Sequence, residues 1–87
     1  MWRIIFTKDA DKQKPYLKSA GLEEKTKKLL NIIAQDPYQN PPHYEKLVGD
    51  LQGYYSRRIN IQHRIVYRVN KETNTIIVHS MWTHHEK

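Results

Sequence analysis

Apolar residues in this chain come first as a short run, then at helical spacing, and finally in alternation with polar ones. Trp2 to Phe6 (WRIIF) predicts a short apolar strand, and Thr7 after it suits a helix cap. From Lys8 to Ser19 the charged residues Lys8, Asp9, Asp11, Lys12, Lys14 and Lys18 surround a thin apolar set of Ala10, Tyr16 and Leu17. This predicts a first helix, which Pro15 should bend or interrupt because it lacks a backbone donor. Gly21 ends the element, since it adopts positive φ without steric cost. Leu22, Leu29, Leu30, Ile33 and Ala34 then form a stripe at helical spacing with Glu23, Glu24, Lys25, Lys27 and Lys28 outside it. That second helix stops at Asp36-Pro37.

Residues 37–53 (PYQNPPHYEKLVGDLQG) form a proline-rich connection, long for so small a domain, and therefore a place to look for functional groups. Two alternating segments follow, roughly Tyr54 to Ile59 and Arg64 to Asn70, which predict a strand pair joined around Ile61-Gln62. Their register stays open, because a slip of one residue reverses every side chain. After a turn at Lys71 to Asn74, Thr75 to Trp82 (TIIVHSMW) is apolar from Ile76 to Val78, as suits a central strand covered on both sides. The order predicts an α+β fold, two N-terminal helices on a mainly antiparallel four-stranded sheet, in a single domain spanning residues 1–87.

Composition narrows the class. With 87 residues the chain is too short for two independent cores, and with no cysteine it has neither disulfides nor thiolate metal ligands. No apolar run is long enough for a membrane span and no signal-peptide core follows Met1, so a cytoplasmic protein without membrane contact is expected. A net charge of +6 and a pI near 9.7 suggest a polyanionic partner. The distribution points to RNA. Tyr54 to Val69 gathers Arg57, Arg58, Arg64 and Arg68 with His63 and three tyrosines, and arginine forks with aromatic faces suit phosphates and unpaired bases.

These residues suit some chemistries better than others. His79, His84 and His85 cluster near the C-terminus without a carboxylate or thiol at ligand spacing, which argues weakly for a metal; Ser56 and Ser80 carry no signature of an activated nucleophile. General acid-base cleavage of RNA fits better. It needs a base for a ribose 2′-hydroxyl, an acid for the departing 5′-oxygen and cations on the phosphorane. Glu45 supplies a base, His84 or His85 an acid, and Arg58 with Arg64 an anion clamp, provided the fold unites loop, strands and tail. The bland alternative is a salt-bridged surface glutamate, cross-strand arginines and a frayed terminus.

Glu45-Lys46-Leu47, the stretch Leu51 to Ile59 with its Ser-Arg-Arg-Ile, His63 to Tyr67 (HRIVY) and the terminal His84-His85 resemble the YoeB/Txe family of toxin-antitoxin toxins, within the RelE-like superfamily. The resemblance runs through most of the chain. It implies a RelE-like microbial RNase fold and a ribosome-dependent endoribonuclease that cuts mRNA during translation without a metal or other cofactor. It further implies 2′,3′-cyclic phosphate products, a YefM/Axe-like antitoxin and a possible homodimer. By that resemblance Glu45 is the general base, Arg64 and Arg58 stabilise the phosphate and His84 is the general acid, with Arg57, Lys46 and His85 among the RNA-binding residues. This chain departs from the family at His85, where tyrosine is usual, and at Val48, where a basic residue often stands and Lys46 is the nearby substitute. Two other readings are a catalytically weak module that binds RNA or an antitoxin, and a gyrase-directed relative of the superfamily.

Overall fold

A computed structural model describes residues 1–82. Strand β1 (Arg3–Phe6) is followed by helices α1 (Lys8–Lys12), α2 (Lys14–Ser19) and α3 (Glu23–Gln35). Strands β2 (Glu45–Lys46), β3 (Tyr54–Arg58), β4 (Arg64–Asn70) and β5 (Thr75–Ser80) complete the described chain, with a 3-10 turn at Gly49–Leu51. The strands make one five-stranded sheet in the order β1-β5-β4-β3-β2, antiparallel except where β1 lies parallel to β5.

The expected α+β class holds, with one strand more than the four anticipated. The addition is β2, two residues inside the proline-rich connection, which pair Glu45 with Ser56 and Lys46 with Tyr55. So short a strand has no period of its own to read; it exists because β3 offers it an edge. The final strand stops at Ser80, two residues earlier than expected.

Local chemistry accounts for the helices. The Thr7 hydroxyl accepts from the Ala10 amide at 3.2 Å, capping α1 and satisfying one of its orphan donors. Pro15 divides the expected first helix in two, tolerated because it falls in the first turn of α2, where its missing N–H has no intrahelical partner to lose. At Gln13, between the helices, the side chain accepts from the Met81 amide at 2.7 Å and ties the chain beyond β5 to this junction. Gly21, at φ +73°, turns the chain toward α3.

The core lies between the helices and one face of the sheet. Ala10, Leu17, Leu29 and Ile33 from the helices meet Ile65, Tyr67, Ile76 and Val78 from β4 and β5, with Ile4 and Phe6 of β1 packed against them. Burying each aliphatic side chain stabilises by roughly 1.5–3 kcal/mol, which makes this layer the main source of stability. Among the described residues no helix covers the other face. Ile5 is exposed there, and Ile77 and His79 of β5 are only partly buried, so β5 is interior to the sheet without being covered on both sides as expected.

Candidate functional site

The register of β3 on β4 decides which arginines meet. Tyr54 pairs with Arg68, Ser56 with Val66 and Arg58 with Arg64, so these six side chains share the open face. Glu45 joins them through its pairing with Ser56. The connection, both central strands and their common face thus bring Glu45, Arg58 and Arg64 together.

Arg64 is the centre of the group. Its Nη1 lies 4.0 Å from Glu45 Oε1 and donates to the Ser56 hydroxyl at 3.4 Å, which orients the guanidinium along the face. The Glu45 side chain is 53% exposed and Arg64 24%. An ion pair at this distance and exposure contributes at most about 1 kcal/mol, so an incoming phosphate can displace it at little cost. Arg58 is exposed and forms no ion pair among the described residues. Together the guanidiniums present planar donors to an anion, with a carboxylate beside them.

His43 was missed in the sequence. Its Nε2 is 3.9 Å from Glu45 Oε2, and the alternation of an extended segment, which sets residues two apart on one side, was the signal available.

Two of the expected RNA-binding residues are elsewhere. Arg57 is 1% exposed: its Nε donates to the Tyr67 hydroxyl at 3.0 Å, Nη2 to the Pro37 carbonyl at 3.0 Å, and Nη1 to the Pro42 carbonyl at 2.6 Å. It points into the core side because β3 alternates, and it secures the connection that carries Glu45 instead of meeting solvent. Lys46 is exposed, but pairs with Tyr55 and therefore faces away from Glu45 and Ser56. His84 and His85 lie outside the described residues.

Trp82 is the last described residue. Trp82 stacks on the buried His63 ring at 4.0 Å between centroids and 18° between planes, and its carbonyl accepts from the Arg64 amide at 3.4 Å. The Tyr16 ring of α2 also packs against Trp82, with centroids 5.6 Å apart and planes tilted at 47°. The last described residue is thus tied to the backbone of the residue that carries the central guanidinium. A groove of about 270 Å³ lined by Phe6, Leu17, Leu30 and Met81 shares no residue with this cluster, and the open face suits an extended ligand better than an enclosed one. Among the described residues no helix is long and apolar enough to cross a membrane, and no His, Asp and Glu group is arranged to hold a metal.

The sequence model of a family described as "YoeB-like toxin of bacterial type II toxin-antitoxin system" matches residues 6–85. A toxin YoeB of Streptomyces coelicolor is 37% identical over 79 residues, 86% of this chain and 92% of that protein. Among solved structures, a YoeB/ParE toxin from Agrobacterium tumefaciens superposes with a TM-score of 0.86 at 28% identity, covering 95% of this chain and 99% of that one. The toxin in a heterotetrameric YoeB-YefM complex from Staphylococcus aureus gives 0.81 at 33% identity, covering 98% and 99%.

Proposed function

Because this chain belongs to the YoeB-like toxins of bacterial type II toxin-antitoxin systems, we propose that it is a cytoplasmic endoribonuclease that cleaves mRNA on the ribosome. The observation that carries this reading is the meeting of Glu45, Arg58 and Arg64 on one open sheet face, with Trp82, two residues before His84 in sequence, bonded to the Arg64 amide. Glu45 takes the proton of a ribose 2′-hydroxyl, and that oxygen attacks the adjacent phosphorus. Arg64 and Arg58 stabilise the charge of the phosphorane. The bond from phosphorus to the 5′-oxygen then breaks, and His84 donates the proton that leaves a 5′-hydroxyl beside a 2′,3′-cyclic phosphate.

Only two peptide units, at most about 7 Å of chain, separate His84 from Trp82, whose carbonyl is bonded to Arg64. The tether favours His84 over a more distant acid. A YefM-like antitoxin is the proposed inhibitor, as in the S. aureus complex, and an acidic or extended segment of it would compete with RNA for the arginines. Primer extension on translated mRNA tests the proposal. Cuts confined to ribosome-bound message, with cyclic phosphate ends, and lost in Glu45→Gln and Arg64→Ala, are expected; RNA binding with no such ends would instead favour a non-catalytic module.

A further inference from the structure

The open face carries a second group of side chains that the proposed cleavage chemistry does not use. Tyr54 and Arg68 are directly opposed on β3 and β4, four residues along β3 from the Arg58 and Arg64 pair, roughly 13 Å away. His79 of β5 reaches both. Its ring meets that of Tyr54 edge to face, with centroids 4.8 Å apart and planes at 61°, and its Nε2 accepts from Arg68 Nε at 3.5 Å. Ile77, opposite Arg68 on β5, continues the surface, and Tyr54, Ile77 and His79 are all partly open to solvent.

Charge separates this face from the helical side of the molecule. By strand alternation Arg3, Arg58, Arg64 and Arg68 lie on it with Glu45 as the one carboxylate of the described strands, whereas the helices intersperse lysines with Asp9, Asp11, Glu23 and Glu24. Arg68 is exposed and pairs with no carboxylate among the described residues. Two aromatic rings beside such a cation fit a base together with its phosphate.

We propose that Tyr54, Arg68 and His79 form a subsite for a nucleotide flanking the scissile phosphate of single-stranded RNA. The rings stack on the base and Arg68 holds a backbone phosphate. The inference rests on the nuclease reading above and adds a length requirement to it: the strand runs along β3 and β4 from the Arg58 and Arg64 pair, so a ligand too short to reach Arg68 forgoes these contacts.

Fluorescence anisotropy with labelled 2′-O-methyl oligoribonucleotides, which lack the attacking hydroxyl, tests it on the full chain. Lengthening a trinucleotide should raise wild-type affinity about tenfold once the strand reaches the subsite, and Arg68→Ala with His79→Ala should abolish that gain. Arg68→Ala alone should reduce the slope of log affinity against log salt by about 0.7, the value for one lost phosphate contact. Lys18→Ala, an equal loss of charge on the exposed helical side, should leave both unchanged. Equal length dependence and salt slope in wild type and Arg68→Ala would overturn the subsite. So would unchanged RNA affinity accompanied by weaker binding of an acidic peptide, which would make this face a protein interface. The nuclease reading fails separately, if Arg64→Ala cleaves translated mRNA as the wild type does.

Discussion

Arg57 Nε donates to the Tyr67 hydroxyl at 3.0 Å, and that hydroxyl donates onward to the carbonyl of Pro37 at 2.7 Å. Both side chains are almost wholly buried, and the remaining guanidinium donors reach Pro37 and Pro42. The Tyr44 ring lies 4.9 Å from the guanidinium carbon. A buried cation thus joins β3 and β4 to the connection that carries Glu45, so a residue outside the reacting group governs where the proposed base sits.

Arg57→Ala should destabilise the fold by about 2–4 kcal/mol, because it strands the Pro42 carbonyl and weakens the bonding of Pro37 and Tyr67 at a buried position. For a domain of this size that is a melting temperature lower by roughly 10–25 °C. Arg57→Lys should recover only part of the loss, since an ammonium has no planar fork to span three acceptors. Urea unfolding measures both; wild-type stability in Arg57→Ala would show that the network is dispensable.

Tyr67 should make the protein sensitive to alkali. Burial holds its phenol above the ordinary value of 10.0, against an opposing pull from Arg57. The unfolded chain therefore loses this proton first: the contribution is intact below about pH 10 and disappears as pH rises toward the higher folded value. Wild-type urea midpoints should fall more steeply than those of Tyr67→Phe above pH 10. Parallel curves would remove Tyr67 from the account.

Glu45→Gln should lower single-turnover cleavage on programmed ribosomes by about 10²–10⁴-fold, the usual range for losing a general base. Arg64→Ala should cost about 10²–10³-fold through lost charge stabilisation. Neither removes a strong native contact, since their mutual pair is 4.0 Å long, so both variants should unfold within about 1 kcal/mol of wild type. Undiminished cleavage in a folded variant of either residue would end the proposed assignment.

Trp82→Ala removes the stack on His63 and should cost about 1–2 kcal/mol of stability. It should also slow cleavage, because the ring holds Trp82, two residues before the proposed acid in sequence, beside Arg64; Trp82→Phe should restore much of the rate. If Trp82→Ala slowed binding of RNA but not single-turnover cleavage at saturation, the anchor would have no part in presenting the acid.

Much of this fold was legible because its signals are local. The Thr7 cap, the break at Pro15, the turn at Gly21 and the apolar stripe of α3 each depend on residues within a few positions of one another. The resemblance carried by Ser56 to Ile59, His63 to Tyr67 and Glu45 also singled out the group that the sheet assembles. Three features were not visible. Strand β2 is too short for a pattern, the parallel alignment of β1 with β5 joins the two ends of the described chain, and the stack of Trp82 on His63 lies between residues of separate elements.

Arg57 and Arg58 show where sequence yields to tertiary structure. Side-chain alternation required two adjacent identical residues to face opposite ways, but could not say which would be buried, because either register satisfies a period of two. Pairing of Arg58 with Arg64 settled it, and carbonyls from Pro37 and Pro42, twenty and fifteen residues away in sequence, made the buried position tolerable for Arg57. Short-range propensity was thus enough to determine every strand and helix but β2 and to nominate the chemistry. Which charge turned inward and which remained for a ligand depended on acceptors supplied from a distant part of the chain.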